Sequence, residues 1–115
     1  MAMGRDPQAS SVFNAGLRSW DDLSEEERAQ FAGIMSGLLT GFESAFHQYR
    51  AGLMDEDTWD SYQKRLRWYV ARRGVRAWWK LGGHTWVVKA YGAIINELVS
   101  EFEETDLQEG DESDH

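Results

Sequence analysis

The chain contains no cysteine, which excludes disulfides, thiolate zinc sites and a cysteine nucleophile. Its single proline is Pro7, so no later helix is interrupted by that residue. No segment alternates apolar and polar residues, which removes the main sequence signal for a half-buried strand. Long apolar runs are missing too. The longest apolar stretch free of charge runs from Gln30 to Phe42, well short of the roughly 18–20 residues that a bilayer span needs. The start has no signal-peptide pattern.

Charge of each sign is missing over a different segment. Between Ser61 and Asn96 there is no acidic residue, and eight of the twelve Lys and Arg residues lie there. Between Glu97 and Asp114 there are nine acids and no Lys or Arg. The net charge of −8 hides this polarity, which serves either to attract a partner or to neutralise a basic face internally. Internal neutralisation or plain solvation is the simpler expectation.

At 115 residues the chain is long enough to bury one core without covalent staples. Asp6 before Pro7 is a helix-start pair, and Val12, Phe13, Leu17 and Trp20 then share one face. The first helix is predicted at about 8–20. Ser24 with Glu27 three residues later forms a capping box, opening a second helix at about 25–50. Its apolar stripe is Phe31, Ile34, Met35, Leu38, Leu39, Phe42, Phe46 and Tyr49, close to a 3.6-residue period. Gly52 ends it. Asp55 caps a third helix at about 56–72, with Trp59, Tyr62, Leu66, Tyr69 and Val70 inward. A short helix at about 75–81 carries Val75, Trp78 and Trp79 up to Gly82 and Gly83. The last helix, at about 85–103, buries Val87, Val88, Tyr91, Ile94, Ile95, Leu98 and Phe102. The expected fold is all-α: an irregular bundle of four main helices and one short one. Residues 6–103 form the single domain, between a disordered start or cloning remnant at 1–5 and a disordered acidic tail at 104–115.

Ala29, Gly33, Gly37, Gly41 and Ala45 fall every fourth residue along the second helix. A glycine in a helix interior costs about 1 kcal/mol relative to alanine, and tight packing along a smooth strip is the simplest compensation. Ser36, Thr40 and Ser44 widen that strip. The ladder therefore marks a helix–helix seam, first of all inside the monomer, against the first or last helix. A homodimer seam is the second expectation and a ligand groove the third.

Catalytic and metal chemistry find little support. Glu43 and His47 are four residues apart, but the paired Glu-x-x-His motifs of a di-iron bundle are missing. Asp55, Glu56, Asp57 and Asp60 lack the glycine and terminal glutamate of a calcium loop, and helix capping explains them. Gly82-Gly83 alone is a helix break rather than a phosphate loop. No cofactor is implied, and the chain is expected to be non-enzymatic.

The basic, aromatic stretch from Lys64 to Arg73 is more informative. At 100° per residue Trp68 falls about 180° from Trp59, opposite the apolar stripe, with Lys64, Arg65 and Arg72 around it. A tryptophan ringed by cations suits anionic lipid headgroups, single-stranded nucleic acid or a protein partner. The plainer reading is that a neighbouring helix covers it. Net charge −8 disfavours nucleic acid.

The runs Trp20-Asp21-Asp22-Leu23-Ser24-Glu25-Glu26-Glu27-Arg28-Ala29-Gln30-Phe31 and Phe42-Glu43-Ser44-Ala45-Phe46-His47-Gln48-Tyr49-Arg50-Ala51-Gly52-Leu53, with Trp59 and Gly74-Val75-Arg76-Ala77-Trp78-Trp79, carry a resemblance. Over roughly residues 6–81 the chain resembles an uncharacterised bacterial all-helical family. Members often carry membrane-spanning helices ahead of a cytoplasmic helical domain. The resemblance therefore implies a cytoplasmic domain, tethered to the inner membrane within a longer natural protein. It brings no activity, cofactor or catalytic residue. Two departures stand out: the glycine ladder replaces bulkier residues, and His84 to Ile95 is not the usual ending. The expected function is a non-enzymatic helical interaction domain whose protein partner is unknown. The alternative is a peripheral binder of anionic surfaces through Trp68.

Overall fold

The computed structural model describes residues 7–113, with side chains from 10 to 109. Five α-helices follow one another: α1 (Pro7–Arg18), α2 (Glu25–Arg50), α3 (Glu56–Val70), α4 (Arg73–Leu81) and α5 (Lys89–Ser113). A short 3-10 turn, Gly83–Trp86, joins α4 to α5. Among the described residues there is no strand. The expected cap at Asp6 and the segment 1–5 lie outside the described residues.

Local chemistry sets the helix starts. The Ser24 hydroxyl accepts from the Glu27 backbone N–H at 3.2 Å, and the Ser24 N–H donates to Glu27 Oε1 at 2.8 Å. That backbone donation, with the Ser24 hydroxyl, holds the Glu27 carboxyl below its ordinary pKa. At α3, Asp55 accepts the Thr58 N–H at 2.7 Å and is lowered in the same way. Gly52 alone among the described residues lies in the left-handed region, at φ 76°, a turn that suits glycine after a helix end. Across that turn Tyr49 stacks on Trp59 at 4.5 Å, and its hydroxyl donates to Glu56.

The core forms around α2. Phe31, Met35, Leu39, Phe42 and Phe46 are buried along it, facing Leu66 and Val70 of α3, Trp78 and Trp79 of α4, and Tyr91 and Ile95 of α5. Ile34, Leu38 and Tyr49 sit at its margin, half-buried. Val88, expected inside, is exposed because it precedes the first turn of α5. Val99 is buried in its stead. No helix of the described residues is long and apolar enough to cross a membrane.

Three glycines, Gly16, Gly74 and Gly83, are held by close packing, and none belongs to the ladder. A Cβ on Gly74 would lie 1.5 Å from the Gly16 carbonyl oxygen, and one on Gly16 would lie 2.3 Å from the Phe31 ring. This is where α1 and α4 cross, backbone against backbone.

The other departure is at the far end. The segment expected as a disordered tail from residue 104 continues as helix through Ser113. Three acids of α5 return to the basic segment, one of them beyond residue 104: Glu101 receives two hydrogen bonds from Arg67 at 2.8 and 3.3 Å, Glu103 pairs with Lys80, and Asp106 pairs with Arg73 and Arg76. Arg67 holds the Glu101 carboxyl below its ordinary pKa. Arg76 is buried at 3% exposure, and its other branch donates to the Val70 carbonyl at 2.8 Å.

Two stability measurements check this account. In urea unfolding, Gly74→Ala should lose about 2–3 kcal/mol or more, because backbone cannot step aside for a methyl group. Under monomeric conditions Gly37→Ala should gain about 0.5–1 kcal/mol, since a methyl there meets nothing and favours the helix. Equal effects at the two positions would reverse the assignment of which glycines are packed. Asp106→Asn should cost roughly 1–3 kcal/mol by leaving a buried guanidinium short of its charge partner. A loss indistinguishable from that of an exposed surface substitution would mean that this pair does not hold the distal half of α5.

Candidate functional site

The ladder does not form a seam within the chain. Nothing from another helix lies within 4 Å of where a Cβ would stand on Gly33, Gly37 or Gly41. Ala29 is exposed as well, whereas Ala45 has turned into the core at 2% exposure. The expectation that α1 or α5 packs there is corrected. The apolar stripe occupies the opposite side of α2, and that side takes every packing contact available. Two of the strip's three hydroxyls are already satisfied along the helix: Ser36 donates to the Ala32 carbonyl at 2.7 Å and Thr40 to the Ser36 carbonyl at 2.8 Å. The result is a smooth face whose central hydroxyls, Ser36 and Thr40, need no outside partner.

At the middle of this face a shallow groove of about 290 Å³ opens between α2 and α3. Gly37 and Gly41 border it on one side, with Tyr62, Arg65 and Tyr69 on the other. Phe42 closes the bottom and meets both tyrosine rings edge-on at 6.2 and 6.0 Å. The ladder and Arg65 of α3 thus share one groove, which spacing along either helix alone does not reveal.

Trp68 emerges on α3 as the helical wheel requires, 49% exposed, with no helix over it. What covers it in part is Arg72, whose guanidinium carbon lies 4.0 Å from the ring centroid, a cation–π contact. The Arg72 Nε is buried there and has no hydrogen-bond partner. Tyr69 meets the Trp68 ring edge-on at 5.1 Å. Arg65 leans the other way, 5.3 Å over the Tyr62 ring, and Lys64 is exposed beside it. The structure therefore joins Arg72 to Trp68 and sets Arg65 over the groove.

Pairing with α5 divides the basic segment in two. Arg67, Arg73, Arg76 and Lys80 take its carboxylates, while Lys64, Arg65, Arg72 and Lys89 have no ion pair among the described residues. Of those four, Arg72 covers Trp68, Arg65 leans over Tyr62, and Lys64 is exposed on the same helix.

Glu43 and His47, weighed above as a metal pair, have another role. Glu43 Oε2 accepts the Val88 backbone N–H at 2.7 Å, and its other oxygen stands 4.0 Å from His47 Nε2. Burial, with the Glu43 charge nearby, pushes the Tyr91 hydroxyl pKa upward. No group of three or more His, Asp or Glu side chains among the described residues is placed to hold a metal ion. No family model, curated protein or solved structure matches the chain, so the bacterial family resemblance rests on the quoted sequence runs alone.

Proposed function

We propose that this chain is a non-enzymatic helical interaction domain that docks a helix on the exposed strip of α2. The observation that carries the reading is the bare row Gly33, Gly37 and Gly41. Each glycine weakens the helix by about 1 kcal/mol, and nothing inside the chain offsets that. A second helix would, because missing side chains let two backbones approach closely. The self-satisfied hydroxyls of Ser36 and Thr40 spare the partner any need to supply hydrogen bonds. The simplest partner is a second copy, joined α2 to α2 about a two-fold axis. The family resemblance implies a setting for such a domain: the cytoplasmic end of a protein tethered to the inner membrane.

Sedimentation equilibrium tests the self-docking form. The parent should dimerise reversibly as its concentration rises, and Gly37→Leu should stay monomeric with thermal stability equal to or above the parent's. A parent that is monomeric at every concentration, or a Gly37→Leu dimer as tight as the parent's, would overturn it.

A second reading is favoured by the cations left unpaired around Trp68. In this reading the α3 patch is a peripheral site for an anionic membrane surface, with Trp68 entering the interface and Lys64, Arg65 and Arg72 facing headgroups. Binding to phosphatidylserine vesicles should weaken steeply with salt, since exposed charges are screened over about 8–10 Å at physiological ionic strength. Trp68→Ala should weaken it further and barely change urea unfolding. Absence of binding at low salt would eliminate this reading.

A further inference from the structure

A groove of about 770 Å³ runs between α5 and the α4–3-10 segment, but Trp79, Gly92 and Val99 along it are buried and offer a ligand no surface. The exposed apolar surface is on the connector that bounds the groove. Leu81 is 69% exposed, Trp86 61% and Val88 44%. Three of the six exposed large hydrophobic side chains among the described residues thus fall within positions 81–88. We propose that this connector is a lipid-insertion tip, which enters the interfacial zone of a phospholipid bilayer whatever the charge of its headgroups.

Nothing inside the chain accounts for Trp86. Trp20, Trp59, Trp68 and Trp79 each meet another ring, and Trp78 is buried. Trp86 has no ring contact, cation–π contact or hydrogen bond among the described residues. An indole joins a broad apolar ring to a single N–H donor, and the headgroup boundary of a bilayer accommodates both. Leu81 before it and Val88 after it add apolar area that lipid would remove from water.

The polar groups of the tip favour lipid over a protein partner. Protein interfaces surround an apolar centre with directional hydrogen bonds. Here the Thr85 N–H and hydroxyl both donate to the Gly82 carbonyl, at 3.1 and 2.7 Å, and the Val88 N–H donates to Glu43. His84 rests edge-on against Trp79. Polar groups answered within the chain enter an apolar medium at less cost than open ones.

The charge near the tip favours neutral lipid. Lys80 pairs with Glu103, and the Glu43 carboxylate, on the Val88 N–H, lies at the residue before Lys89. No cluster of unanswered cations forms here to select anionic headgroups. Both lysine stems are long enough to keep their ammonium groups in water while the apolar side chains enter. The tip therefore differs from the α3 patch in its residues, its lipid preference and its response to salt.

Phosphatidylcholine vesicles with brominated acyl chains test the proposal, because the bromine quenches indoles that enter the bilayer. The full chain should co-sediment with them and lose part of its tryptophan fluorescence, equally at low and high salt. Trp86→Ala should remove that quenching and weaken partitioning about tenfold, and Leu81→Ala should weaken it about threefold, with the helical signal unchanged. Leu107→Ala removes a leucine as exposed as Leu81 from the far part of α5 and should bind as the parent does. Absence of binding to phosphatidylcholine would overturn the proposal. So would quenching that survives Trp86→Ala. Binding confined to phosphatidylserine and abolished by salt would also overturn it, and would assign the membrane contact to the α3 patch instead.

Discussion

Arg76 lies at the corner where α3, α4 and α5 meet, 3% exposed, and a guanidinium cannot shed its charge to suit a buried site. Its burial is tolerable because one branch caps the Val70 carbonyl at the end of α3 and the other pairs with Asp106. The first contact satisfies an acceptor that a helix end leaves open. The second requires α5 to continue past the point where its apolar pattern fades. Once Asp106 is drawn in, Glu101 and Glu103 come to lie against Arg67 and Lys80. The distribution of surface charge over the whole molecule follows. What α5 does not neutralise is left on the α3 patch and at Lys89, and each stands beside an aromatic or apolar surface.

Features with a local cause were legible in the sequence. Ser24 with Glu27 and Asp55 with Thr58 announce helix starts through bonds spanning three residues. The α2 stripe from Phe31 to Phe46 follows the helical period, and its central members are buried. Trp68 was placed by angle alone, and it stands on the outside opposite Trp59. Periodicity says which residues share a face.

It does not say which face finds a neighbour. The row of glycines on α2 is conspicuous along the chain and bare in space. Gly16, Gly74 and Gly83, in no repeating pattern, are the ones in tight contact. Residues 104–113 were misread for a related reason. With so many acids they carry no apolar period, and what ties them back is the pairing of Asp106 with Arg73 and Arg76, some thirty residues earlier. The large groove had no sequence signal at all. It arises because Gly82 and the 3-10 turn set α5 apart from α4, a matter of path and not of composition.

The crossing of α1 over α4 has a consequence for the order of assembly. The hairpin of α2 and α3 is closed by neighbouring residues and zips quickly, whereas contacts between distant parts of a chain come late. α1 can lean on α2 through Phe13 and Phe31, but it locks only when α4 has wound and brings Gly74 under the Gly16 carbonyl. With no side chain at either glycine, there is no partial fit to reward a near miss. Until the fit is made Phe31, wholly buried in the finished molecule, remains within reach of water.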